Sequence, residues 1–163
     1  MGKNTTVLAV GNPIMGDDGV GLEILAGLEK RWPETVGSEQ LQFVDGGTGG
    51  MQLIPVVQDS ERLLILDALQ PGESTGGIEP GTALHIGGDQ VPRLLSMKMS
   101  PHQVGLLDVL TSCRLLGTEP DKVEVVGVTV ADVDLRVGLS DPVSAAVPAA
   151  IDLAESLLRE WLG

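Results

Sequence analysis

Apolar and polar positions sort this chain into short apolar runs that alternate with longer runs of helical spacing. Thr5–Val10 is apolar and β-branched and stops at Gly11-Asn12-Pro13, which predicts a buried parallel strand. From about Asp18 to Trp32 the pattern turns helical, with Leu22, Leu25, Leu28 and Trp32 on one stripe and Glu23, Glu29 and Lys30 off it. Asp17 or Asp18 can cap that helix, and Pro33 follows its end. Leu41–Val44 reads as a second strand, stopping at Asp45-Gly-Gly-Thr-Gly-Gly50, and Met51–Val57 as a short helix. Leu63–Leu66 is wholly apolar, so it is expected as a central third strand ending at Asp67.

The second half follows the same logic. Gln70–Gly81 is rich in Gly and Pro and reads as a long surface loop. Thr82–Ile86 is expected as an edge strand running antiparallel, and Val91–Met97 as a short helix. Ser100-Pro-His-Gln103 has Ser at the N-cap, Pro at the first helical position and Gln two residues further on, a capping box. The helix it opens runs to about Leu116, with Val104, Leu107, Val109, Leu110 and Leu115 apolar. Lys122–Val130 is a fifth strand. Ser140-Asp-Pro142 starts a last helix, whose apolar face is expected at Leu153, Leu157, Leu158 and Trp161, with Pro148 kinking it or marking its real start. The order β-α-β-α-β-β-α-β-α predicts a three-layer α/β/α fold around a twisted, mostly parallel five-stranded sheet. Residues 1–163 form one domain in this reading, with no internal repeat.

Composition narrows the partners. The formal net charge is −13, which argues against nucleic acid and anionic membranes. No stretch of about 18 apolar residues exists to span a bilayer, and the apolar run after Lys3 is too short for a secretory signal. A single cysteine, Cys113, excludes an intrachain disulfide and fits a reducing compartment, so a cytoplasmic protein is expected.

The chemistry gathers where such folds place ligands, at the carboxyl ends of the strands. Asp17 and Asp18 follow the first strand, Asp45 the second and Asp67 the third, and His102 opens a helix in the second half. Asp, Asp and His form a donor set suited to Ni, Zn, Mn or Fe. Each has a plainer reading: Asp18 as a helix cap, Asp67 as a partner for its own turn, His102 as a surface residue. His85, mid-strand, and Cys113, late in a helix, read as structural. The turn Asp45-Gly46-Gly47-Thr48 with Gly49 and Gly50 can form a nest of amides for an anion or a peptide carbonyl, or can simply pack tightly. A nucleotide site fits poorly. The first loop lacks G-x-G-x-x-G spacing and a P-loop Lys, and its two carboxylates would repel a pyrophosphate. No G-x-S-x-G elbow stands between an expected strand and helix, the one string of that spacing, Gly72–Gly76, falling in the Gly- and Pro-rich loop, and H-E-x-x-H does not occur.

Four segments carry a resemblance: Gly11-Asn-Pro-Ile-Met-Gly-Asp-Asp-Gly-Val-Gly21, Asp45-Gly-Gly-Thr48, Leu64-Ile-Leu-Asp-Ala68 and Ser100-Pro-His-Gln103. In this order, and over nearly the whole chain, they resemble the [NiFe]-hydrogenase maturation endopeptidases. Ser-Pro-His-Gln followed by Gly105 and Asp108-Val-Leu110 looks most like the branch serving membrane-bound or uptake hydrogenases. The resemblance implies an enzyme that removes a C-terminal extension from the hydrogenase large-subunit precursor once nickel has been inserted there. It also implies three metal-binding positions, which map here to Asp18, Asp67 and His102, with Asp17 left out. The nickel would belong to the substrate, so the site is expected empty or holding a surrogate divalent ion without it. The attacking group stays unassigned, since a metal-bound water and a nickel that only positions the substrate are both chemically open. A non-proteolytic nickel-binding chaperone is the alternative that the same three residues allow.

Overall fold

The computed structural model describes residues 4–32, 40–71, 78–88, 90–91 and 101–162, with only the helical backbone for 101–105. Five strands form one sheet: β1 (Thr5–Val10), β2 (Leu41–Gly47), β3 (Arg62–Leu69), β4 (Ala83–Gly87) and β5 (Lys122–Thr129). Their order is β2-β1-β3-β5-β4, parallel throughout except for β4, which runs antiparallel on the edge beside β5. Four helices cover the sheet among the described residues: α1 (Val20–Lys30), α2 (Ile54–Gln58), α3 (Pro101–Leu116) and α4 (Asp141–Leu162). The expected three-layer architecture is therefore present, with its one antiparallel strand at the edge.

The faces follow from strand alternation. Val7 and Ala9 of β1 and Leu64, Leu66 and Ala68 of β3 face α1 and α4, while Leu8, Val10, Leu63, Ile65 and Leu69 face α2 and α3. β3 is buried along almost its whole length, as a central parallel strand must be. Two helical stripes differ from the expectation by a residue or two. On α1 the buried positions are Val20, Gly21, Ile24, Leu25 and Leu28, and Leu22 is only half-buried. On α4 they are Val143, Ala146, Ala150, Ile151, Ala154, Leu157, Leu158 and Trp161, leaving Leu153 on the outer side. Small residues face the core in the first half of α4, so the helix lies close against its neighbours, and Ile151 fills the space over Gly27 of α1. Pro148 does not mark the start of this helix, which runs through it from Asp141. On α3 the buried stripe is Leu106, Val109 and Cys113. Leu115 lies about 200° further round the helix and is exposed.

β3 is longer than expected. Pairing with β5 continues through Asp67↔Gly127 to Leu69↔Thr129, so Asp67 lies inside the strand and not at its end. β2 likewise continues to Gly47, with an irregularity where Ala9 pairs Asp45 and Val10 pairs Gly47. Residues 92–97 of the expected helix over 91–97, residues 72–77 of the loop 70–81 and the Ser100 cap fall outside the described residues.

Candidate active site at the carboxyl edge of the sheet

The carboxyl ends of β1, β2 and β3 lie side by side, and the chain leaves β1 and β3 in opposite directions, which opens a crevice between them. After β1 the chain makes a tight loop and a 3-10 turn, Gly16–Gly19, that leads into α1. Three glycines make the loop possible. Gly11 has φ +149°, and a Cβ there would overlap the carbonyl oxygen of Asp18. Gly16 has φ +58° and sits 2.7 Å, at its would-be Cβ, from the Asp132 carbonyl oxygen. A Cβ on Gly21 would run into the carbonyl oxygens of Leu66 and Val10, so only glycine lets α1 start directly on β1 and β3.

The two adjacent carboxylates do different things, and neither caps α1, whose N-cap position is Gly19 with no capping side chain. Asp17 is fully buried. Its Oδ2 accepts the amides of Ala131 and Asp132 at 2.9 and 2.8 Å and the Ser140 hydroxyl at 2.8 Å, and its Oδ1 accepts the Ser140 amide at 2.7 Å. Its own amide donates to the Asp132 carbonyl at 2.8 Å. Burial pushes its carboxyl pKa up, but these hydrogen bonds from Ser140, Asp132 and Ala131 outweigh burial and hold it below the ordinary value. Asp17 is thus the clamp between the first loop and the segment joining β5 to α4. Nothing local in the sequence announces those partners, which lie 114 to 123 residues away.

Asp18, also buried, turns the other way, and its Oδ2 accepts the Asn12 amide at 3.0 Å. Asp67, buried on β3, alternates onto the α2–α3 side with Ile65 and Leu69, and its Oδ1 accepts the next amide, Ala68, at 2.7 Å. Ala9 of β1 pairs with Leu66 of β3, so the loop carrying Asp18 leaves β1 at the level of Asp67. Across β5, Gly127 faces Asp67, and a Cβ there would meet the Asp67 carbonyl oxygen. His102 belongs to the first turn of α3, one turn before Leu106, which packs into the α2–α3 side; its side chain lies outside the described residues. Two buried aspartates, Asp18 in the turn after β1 and Asp67 within β3, thus belong to the carboxyl half of neighbouring strands, and carboxylate oxygens are donors that a hard or borderline cation accepts.

The Asp45–Gly50 turn adjoins this edge, its Gly47 carbonyl accepting the Gly11 amide at 2.8 Å. Asp45 is exposed and its Oδ1 accepts the Gly47 amide at 2.9 Å. Gly49 donates to the Gly46 carbonyl at 2.8 Å and Gly50 to Gln52 Oε1 at 3.2 Å. These amides are engaged within the turn itself, and a Cβ on Gly46 would press on Leu8 and the Ala9 carbonyl. Thr48 is exposed beside it. His85 meets Glu124 across the β4–β5 edge at 3.3 Å, and Cys113 is a free thiol buried in the α3 stripe; both stand away from the crevice.

An open, three-layer α/β sheet with acidic residues at its parallel carboxyl edge is of the class that handles ligands there. Comparison with known proteins is more specific. Residues 24–157 match the hydrogenase maturation protease family. The hydrogenase 2 maturation protease of Escherichia coli is 34% identical over 154 residues, 94% of this chain and 90% of that protein. The hydrogenase expression/formation protein HupD of Rhizobium leguminosarum is 33% identical over 157 residues, 95% of this chain and 74% of that one. In structure the chain is similar to the E. coli hydrogenase maturating endopeptidase HybD, with a TM-score of 0.85, 32% identity and coverage of 96% and 93% of the two chains. It is also similar to the [NiFe] hydrogenase maturation protease HybD of Thermococcus kodakarensis, with a TM-score of 0.74, 28% identity and coverage of 94% and 98%. The chain belongs to the hydrogenase maturation protease family and is a peptide hydrolase.

Proposed function

We propose that this enzyme removes the C-terminal extension of a [NiFe]-hydrogenase large-subunit precursor after nickel has entered it, and that it recognises that nickel through Asp18, Asp67 and His102. The observation that supports the reading is the level of two buried aspartates: the turn carrying Asp18 follows β1 at the register of β3 that holds Asp67. Burying two like charges is costly, and a divalent cation between them offsets that cost. Carboxylate oxygens and an imidazole nitrogen are donors that nickel accepts. Three protein donors leave coordination positions for ligands from the substrate, and an incomplete site would recognise the metal without stripping it. The Asp45–Thr48 turn beside the first loop is placed to touch the substrate through Asp45 and Thr48, which are exposed, more than through its engaged amides. A reducing, cytoplasmic setting suits a chain with one thiol, and no described helix is long and apolar enough to cross a membrane.

The test is processing of purified precursor in nickel-loaded and nickel-free forms. The loaded precursor should be shortened and the nickel-free one left intact. Asp18→Ala, Asp67→Ala and His102→Ala should each stop processing in proteins that still fold by circular dichroism. Normal cleavage by two of the three would show that the nickel is read elsewhere, and precursor binding without any cleavage by the unmodified enzyme would turn the reading into that of a chaperone.

A further inference from the structure

Exposed apolar side chains scattered singly over a surface need no explanation. Ile14, Leu135 and Val137 are not scattered. They are 52%, 76% and 84% exposed, and they stand on two segments that the fold ties together. The Arg136 amide donates to the Ile14 carbonyl and the Gly16 amide to the Arg136 carbonyl, both at 2.9 Å, forming a short parallel bridge between Met15 and Arg136. Asp17 clamps both ends of the second segment, at Ala131–Asp132 and at Ser140. The positive φ of Gly16 lets the Asp132 carbonyl approach from below. The apolar side chains are thus held outward on a built and anchored rim.

We propose that this rim is the docking strip for the C-terminal extension of the precursor. The inference rests on the proposed function and adds to it where the substrate peptide lies. Ile14 is tied to Asp18 through Asn12, whose Oδ1 accepts the Ile14 amide at 3.2 Å and whose own amide donates to Asp18 Oδ2 at 3.0 Å, so a chain lying against Ile14 is near the proposed metal position. The family acts as a protease, so its substrate arrives there as a peptide. Charge restricts that peptide. Asp132, Asp134 and Asp141 lie around the rim, Asp132 with Arg136 at 3.4 Å, and the whole chain carries −13. An acidic segment would be repelled, whereas a segment that presents apolar side chains, with neutral or basic flanks, is matched.

The experiment compares the unmodified enzyme with a Leu135→Ser, Val137→Ser double variant on nickel-loaded precursor, with Leu116→Ser, exposed at the opposite edge of the sheet, as control. The expected result is a KM raised roughly tenfold with kcat held in the double variant, and no change in the control. Binding of the mature subunit, which lacks the extension, should not distinguish the double variant from the unmodified enzyme. An unchanged KM in the double variant, while the unmodified enzyme cleaves, overturns the docking strip and leaves the proposed function standing. Failure of the unmodified enzyme to cleave overturns both. An equal loss of binding to the mature subunit moves the contact to the body of the subunit and overturns the proposal. So does sedimentation showing that the rim joins two copies of the enzyme, with the double variant monomeric and KM unchanged.

Discussion

Two Gly-rich turns with an aspartate stand side by side at the carboxyl edge, and they spend their carboxylates in opposite ways. At the irregular end of β2, where its turn begins, Asp45 binds the amide of Gly47, two residues on, and stays exposed. In the turn after β1, Asp17 reaches across the fold to Ala131, Asp132 and Ser140 and is fully buried. The first arrangement shapes only its own turn. The second makes the geometry of the first loop depend on the far end of the chain. Asp18, next in sequence to Asp17, sits on a loop whose support it does not itself have to provide.

The comparison can be broken most sharply at Asp18. Asp18→Asn keeps the size of the side chain and removes the charge, and it should lower processing of nickel-loaded precursor by roughly a hundredfold or more with little change in melting temperature. A gel-shift assay of precursor shortening reads this directly. Asp17→Ala should do the reverse. Removing a buried carboxylate that accepts three amides and a hydroxyl should cost about 3 kcal/mol of stability in urea titrations. Processing per folded molecule should fall far less than in Asp18→Asn, and an equal fall would erase the distinction between the two residues.

The pH response refines the same contrast. The carboxyl of Asp17 has a lower pKa in the folded protein than in the unfolded chain. Its contribution is therefore fully present above the unfolded value of about 4 and is lost as pH falls through the lower folded value. Urea midpoints measured at about pH 6 and at about pH 3 should drop more for the unmodified protein than for Asp17→Asn. The smallest effect belongs to Asp45→Ala, where one exposed local bond is lost, at about 0.5–1 kcal/mol. A larger loss would show that the second turn is also tied to the rest of the edge.

Local pattern was enough for what local forces decide. β1 falls on Thr5–Val10 as read, because a β-branched apolar run bounded by Gly and Pro has few other uses. The antiparallel edge strand was also legible, since a short strand after a long loop cannot easily make a right-handed crossover. The reach of β3 past Asp67 was not, because pairing with Val128 and Thr129 on β5, not apolarity, decides where the strand stops. Asp17 and Asp18 read equally well as helix caps, and the choice between them and other roles needed partners more than 100 residues away for Asp17. The resemblance singles out Asp18 and not Asp17 for the metal, while the packing that makes Asp17 a clamp shows only in three dimensions. Leu153 illustrates the same limit in the core: it looked as apolar as its neighbours, but the close approach through Ala146, Ala150 and Ala154 turned it outward.

The clamp also sets an order of events while the chain is being made. Asp17 leaves the ribosome early, but Ser140, which supplies two of its four hydrogen bonds, follows 123 residues later. Chains fold broadly from the N-terminus as they emerge. β1, α1 and β3 can therefore assemble while the first loop still has a solvated, unclamped carboxylate. The rim and the geometry around Asp18 close only when the last helix docks. The protease thus comes into working shape only after the segment around Ser140 has been made.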